Sequence, residues 1–120
     1  RTWLAVTRVF EADAADDGLY IVSTDGASPP RRLDLAGGYQ WRDDDRLLVV
    51  PMQPGAPGMS VWQVEASSGR VTRLVDPERT RVRIAAGEWS TSPGGARIAY
   101  RSADDDALWV LTLPPIGPEP

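Results

Sequence analysis

The stretch Trp89–Ser102 reads WSTSPGGARIAYRS. An aromatic residue leads into a Ser-Pro-Gly-Gly turn, and an alternating run follows, Arg97-Ile98-Ala99-Tyr100. A second short run, Leu108-Trp109-Val110-Leu111, comes soon after. Pro93 presets φ for a turn, and Gly94 and Gly95 accept positive φ. Period-two alternation, β-branched and aromatic enrichment, and Gly/Pro/Asp punctuation predict strands here rather than a helix.

The pattern recurs. Leu19-Tyr20-Ile21-Val22, Val61-Trp62-Gln63-Val64 and Leu108-Trp109-Val110-Leu111 share an aliphatic, aromatic, any, aliphatic order, and they lie 42 and 47 residues apart. The runs before them align as Trp3-Leu4-Ala5-Val6, Leu47-Leu48-Val49-Val50 and Arg97-Ile98-Ala99-Tyr100, with Trp41 and Trp89 as anchors ahead of the last two. Spacings in the forties with several short strands per period are the signature of propeller blades. No amphipathic stretch of helical period bounded by caps is present. Strands are predicted near 3–9, 18–24, 31–35, 38–42, 46–52, 59–65, 70–75, 82–90, 96–102 and 107–113.

The predicted fold is all-β: about three β-propeller blades of antiparallel four-stranded sheets, a partial or half propeller. The blades cover approximately 1–36, 37–77 and 78–113, and a Pro-rich tail or linker fills 114–120. Labelling strands a to d from the axis outward, the chain parses as b-c-d, a-b-c-d, a-b-c.

These residues resemble the TolB-like, or WD40-like, β-propeller repeat family. The resemblance rests on Trp89, Ser92-Pro93-Gly94-Gly95, Arg97-Ile98-Ala99-Tyr100 and Leu108-Trp109-Val110-Leu111. Its second half recurs as Val61-Trp62-Gln63-Val64, Ser68-Gly69 and Thr72-Arg73-Leu74. Gly94 stands where the family carries Asp, and Trp41-Arg42-Asp43-Asp44-Asp45 has a shortened, acidic turn. The resemblance implies a periplasmic or extracellular setting. It implies no single activity, because propellers host unrelated functions.

Composition removes several classes of function. The chain has 120 residues, 42 % hydrophobic and 25 % charged, as expected of a globular domain. Net charge is −4, so the surface repels phosphate on average and no nucleic-acid partner is expected. The longest apolar run, Leu47–Met52, is too short to insert in a membrane as a helix. No His and no Cys are present, which rules out a Ser-His-Asp triad, zinc chemistry and disulfides within these residues. No catalytic residue and no cofactor is expected. The chain starts at Arg1 without Met and reads as a piece of something longer.

What remains is a surface for contact. Acidic hairpin residues Asp13, Asp16 and Asp17, and Asp104, Asp105 and Asp106, are candidates for a metal, although neither group has calcium-loop spacing. Solvated turn carboxylates are the simpler reading. Arg79, Arg81 and Arg83 alternate and should share one side of an extended segment, facing those acidic hairpins or an anion. With the loop residues Gln53, Gly55 and Gly58 they form the expected binding face. Trp109 is expected to be mostly buried between blades. The expected function is a non-catalytic binding scaffold for a protein or peptide partner, with a homo-oligomer or flanking blades closing the ring. The rival is the substrate-gating propeller of a prolyl-oligopeptidase-like serine peptidase, its catalytic domain lying outside these residues.

Overall fold

The computed structural model describes residues 3–8, 18–35, 37–51 and 58–115. They form ten strands and, among the described residues, no helix. The strands are β1 (Trp3–Arg8), β2 (Gly18–Ser23), β3 (Arg31–Arg32), β4 (Gly37–Trp41) and β5 (Arg46–Pro51). They continue with β6 (Val61–Glu65), β7 (Val71–Val75), β8 (Ile84–Thr91), β9 (Arg97–Ser102) and β10 (Leu108–Thr112). Three antiparallel sheets result: a first sheet β1-β2-β3, a middle sheet β4-β5-β6-β7 and a last sheet β10-β9-β8. Strand order follows chain order in each, so every connection within a sheet joins neighbours.

The middle sheet is the centre of the molecule. Strand β5 is apolar without alternation, and Leu47, Leu48, Val49 and Val50 are all buried. Leu47 and Val49 pack with Leu19 and Ile21 of the first sheet and with Leu33, just after β3. Leu48 and Val50 pack with Ile84, Trp89, Ile98 and Tyr100 of the last. A strand covered on both faces needs apolar residues at successive positions, whereas a strand covered on one face alternates. Strand β9 shows the second case, with Ile98, Tyr100 and Ser102 buried while Arg97 and Ala99 are exposed. The molecule measures 43 × 41 × 23 Å.

Pairing register shows which residues of the three sheets are equivalent. Val6 lies opposite Tyr20, Val49 opposite Trp62, and Tyr100 opposite Trp109. Leu4, Leu47 and Ile98 hold the next equivalent place, opposite Val22, Val64 and Leu111. The sequence alignment of Leu47 with Trp3 is thus one residue out of step, and the middle repeat starts at Arg46, as the last starts at Arg97. Tyr39, opposite Val49, is the counterpart of Trp89, opposite Tyr100. Trp41 corresponds to Thr91 instead.

With that register, the aromatic residue of each run points the same way. Trp62 lies on the face of the middle sheet turned to the first, and Trp109 on the face of the last turned to the middle. Tyr20 faces away from the middle sheet, because its neighbours Leu19 and Ile21 enter the shared core. The opposite-facing residues behave likewise: Val61 is buried against the last sheet, while Leu108 and Val110 are 83 % and 64 % exposed.

One expectation fails here. Trp109 is 50 % exposed, because β10 is the outer edge of its sheet and no strand lies beyond it among the described residues. Ile98 and Tyr100 are buried against the middle sheet rather than on an outer face. The largest fully buried side chains are all aliphatic, and Trp89 is the tryptophan that joins them, in the core between the middle and last sheets.

The middle and last sheets are also joined by a buried charge. Arg42, in the β4–β5 turn, has 6 % of its surface accessible. Its Nε donates to the Gly95 carbonyl at 2.6 Å, its Nη1 to Gln63 Oε1 at 2.9 Å, and its Nη2 to the Pro114 carbonyl. Burial lowers its pKa, partly offset by Asp43. Gly95 has φ of 75° and a Cβ there would sit 2.5 Å from the Arg42 carbonyl oxygen, so glycine is required twice over.

Leu48→Ala should lower unfolding free energy by about 2–5 kcal/mol, the range for emptying a core leucine site. Trp109→Ala should cost about 1 kcal/mol or less, since half the ring is already in water. Urea denaturation of both variants measures the contrast. Asp43 yields a pH prediction. Desolvation opposes its charge, but the backbone N–H groups of Asp45 and Arg46 and the Arg46 guanidinium outweigh that and hold its pKa below the ordinary carboxylate value. Its contribution is complete above the unfolded-chain value of about 4 and is lost as pH falls through the lower folded value. Asp43→Asn should therefore flatten the acid limb of stability against pH, read by denaturation at a series of pH values.

Candidate binding rim

The β5–β6 loop, the β7–β8 linker and the β9–β10 hairpin meet on one rim. Backbone bonds stitch them: Met59 N–H to the Val82 carbonyl at 2.7 Å, and Ala103 N–H to the Arg83 carbonyl at 2.8 Å. Val82 is buried as the anchor of the linker. Its neighbours Arg81 and Arg83 therefore project together toward the hairpin.

Both reach Asp104. Arg81 forks onto the carboxylate through Nε at 3.0 Å and Nη2 at 3.1 Å, and Arg83 Nη1 adds a contact at 2.9 Å. Arg81, then Arg83, holds the Asp104 pKa below the usual carboxylate range, against some desolvation. Asp105 accepts from the Ala107 N–H at 3.0 Å and from the Trp109 indole at 3.1 Å, and these bonds lower its pKa in that order. Asp106 bonds to Arg101, which also holds Glu88. The three carboxylates thus go to three separate sets of donors. Among the described residues no three metal-ligating side chains are grouped to hold an ion.

Arg79 departs from the expected row. It belongs to a turn in which the Asp76 carbonyl accepts from the N–H groups of Arg79 at 3.0 Å and Thr80 at 2.9 Å. That turn breaks the extended path and sends Arg79 toward the outer edge of the sheets, beside Arg73 and Leu111. Gly58 is buried rather than exposed, and a Cβ there would meet Pro77 Cβ at 3.3 Å. Gln53, Gly55, Asp13, Asp16 and Asp17 lie outside the described residues.

The sequence gives little warning of a cleft that opens on the same rim. It has a volume of about 380 Å³ and lies between β4 and β8, lined by Val50, Pro51, Met59, Ile84 and Trp89. One wall is backbone. Strand β8 loses register between Ile84 and Trp89, and Ala86 and Gly87 take φ of 52° and 69°. A non-glycine residue in the left-handed region is uncommon and stores strain. Gly38 completes the wall, since a Cβ there would approach Trp89 Nε1 to 3.2 Å. Below the cleft Gln40 ties β4 to β8, donating to the Trp89 carbonyl and accepting from the Thr91 N–H at 3.1 Å. The recurring Gly-x-aromatic, Gly37-Gly38-Tyr39 and Gly87-Glu88-Trp89, is the signal that marks the start of β4 and the register break within β8.

Compared with protein-family models, curated proteins and solved structures, the chain finds no match. The rim presents an apolar cleft of ligand-accommodating size together with an ion-paired cluster of two arginines on one carboxylate.

Millimolar calcium should leave the melting temperature unchanged, because each hairpin carboxylate already has a donor. A rise in melting temperature that disappears when Asp104–Asp106 are replaced by Ser would instead assign a cation to the hairpin.

Proposed function

We propose that this chain is a β-propeller segment of TolB-like or WD40-like type that serves as a non-catalytic scaffold for a protein or peptide partner. The observation that carries the reading is the common facing of the three runs. In each sheet the second residue of the run faces toward the start of the chain, and the residues on either side of it face toward the end. One repeated packing operation relates such sheets, as blades are related around an axis. The 3-4-3 strand count agrees with blades parsed b-c-d, a-b-c-d, a-b-c.

A binding role follows from the chemistry on the rim. A general acid working at neutral pH needs a raised carboxyl pKa. The carboxylates with a resolved shift, Asp43, Asp104 and Asp105, all move down. The apolar cleft suits a hydrophobic side chain of a partner, and Arg83 of the Arg81–Asp104–Arg83 cluster directly precedes Ile84 of its lining.

Propellers close with about four to eight blades. Three sheets leave two end faces. The first carries Leu4 and Val6, 49 % and 44 % exposed, with Tyr20 and Val22 opposite. The second carries Leu108 and Val110. Two copies joined through these faces form a six-bladed ring. Flanking chain that supplies further blades is the other route to closure. Sedimentation and electron microscopy of the purified chain test the ring: two-chain particles with a central opening are expected. A compact, monodisperse monomer at micromolar concentration with a cooperative melt overturns it.

A further inference from the structure

The outer strands of the first and middle sheets repeat a pairing that the last sheet lacks. Strand β3 places Arg32 opposite Tyr20, and β7 places Arg73 opposite Trp62. The Arg73 guanidinium carbon lies 5.8 Å from the Trp62 ring centroid, within cation–π range. A leucine follows each arginine and turns into a core: Leu33 is buried, and Leu74 packs against the cluster of the middle and last sheets. Trp109 is the third member of this aromatic series, on the edge strand β10.

Three features prepare that edge for an incoming strand. Leu108, Trp109 and Val110 are all at least half exposed. An open groove of about 600 Å³ runs between β7 and β10, walled by Arg73, Leu74 and Arg79 on one side and Leu111 and Leu113 on the other. The Asp105 carboxylate, ionised and bonded to the indole N–H, stands beside the Trp109 ring. A cation above the ring meets both an electron-rich face and an anion.

The chain does not fill this place through residue 115. In the middle sheet the turn at 66–70 carries the chain back along β6. After β10 it goes inward instead: the Leu113 N–H donates to the Ala96 carbonyl at 2.9 Å, and the Pro114 carbonyl accepts from Arg42. Pro114 and Pro115 also have no N–H for a ladder.

We propose that the outer edge of β10 binds an extended segment of a separate polypeptide, antiparallel, with an arginine opposite Trp109 and an aliphatic residue after it in the groove. The site is a strand-addition site whose affinity comes from main-chain bonds and whose selectivity comes from the Arg-Leu pair. It rests on pairings present in the sheets and does not require ring closure, since blades stacked face to face leave the outer edge of β10 open.

A synthetic peptide with the sequence of residues 70–76, RVTRLVD, is the probe. Titrated into the full chain, it should bind one to one, change tryptophan fluorescence and slow amide exchange in Leu108–Thr112. Trp109→Ala should weaken it roughly fivefold, about the value of an exposed cation–π contact. The same peptide with its central Arg changed to Glu should bind at least about tenfold more weakly, because it brings an anion to Asp105. The peptide arm decides the matter even if the Trp109 variant is poorly folded. Absence of saturable binding, or binding indifferent to both changes, overturns the proposal. So does self-association that protects the β10 amides and excludes the peptide, which makes a second copy the occupant.

Discussion

Everything in this molecule hangs on a strand with two buried faces. Leu47 and Val49 of β5 point one way, Leu48 and Val50 the other, and none has more than 7 % of its surface in water. Such a strand cannot be stable in one sheet, or in a two-layer packing with one side wet. It needs a sheet on each side, and the rest of the chain supplies them. The first and last sheets then require one apolar face each, which permits their alternating strands. The sequence of β5 therefore sets the number of layers, and its neighbours need only satisfy it.

Hydrophobic stacking is non-directional, and it leaves open how the middle and last sheets are placed relative to each other. Arg42 narrows that freedom. Its guanidinium gives a planar fork with fixed donor directions, and its acceptors come from the β8–β9 turn, from β6 and from the segment after β10. The acceptors are neutral, so the charge is solvated by protein dipoles and not by a counter-ion. That is consistent with the downward shift of its pKa. Removing the side chain takes the donor from the carbonyl of buried Gly95, which is costly. The same turn demands glycine at 95, since the Arg42 backbone lies against it.

Much of this was legible in the sequence, and the failures have physical causes. Strand positions were legible because Gly, Pro and Asp punctuate them, and the observed ends differ from expectation by a residue or two, apart from β3, which is shorter. The phase of the middle repeat was not. An apolar residue at every position of Leu47–Val50 carries no period-two signal, so a slip of one residue goes unnoticed. The shared arginine, Arg46 and Arg97, marks the correct phase. Trp109 was misjudged because burial at an edge depends on a further strand, and among the described residues none lies beyond β10. In the candidate site, the alternation of Arg81 and Arg83 pointed to Asp104, but the turn beginning at Asp76 removed Arg79 from the row. The cleft was illegible because it arises from a register shift in β8, where Ala86 takes an unusual φ that its side chain does not advertise.

The two end faces are not equivalent. By register, Arg101 of the last sheet occupies the place that Val50 holds in the middle sheet. Its charge is shared between Glu88 and Asp106, and all three side chains are at least partly exposed. A sheet packed over Val50 loses only water from its contact. A sheet packed over Arg101 must desolvate a cation and two carboxylates, and such a pair returns little of that cost. The first sheet offers Leu4, Val6, Tyr20 and Val22, and the charged residue of these strands, Arg8, stands at the end of β1. Association through the last face is therefore weaker per unit area than the contacts already inside the chain. The β5 stack inside the chain carries no such cost, since both of its faces are aliphatic.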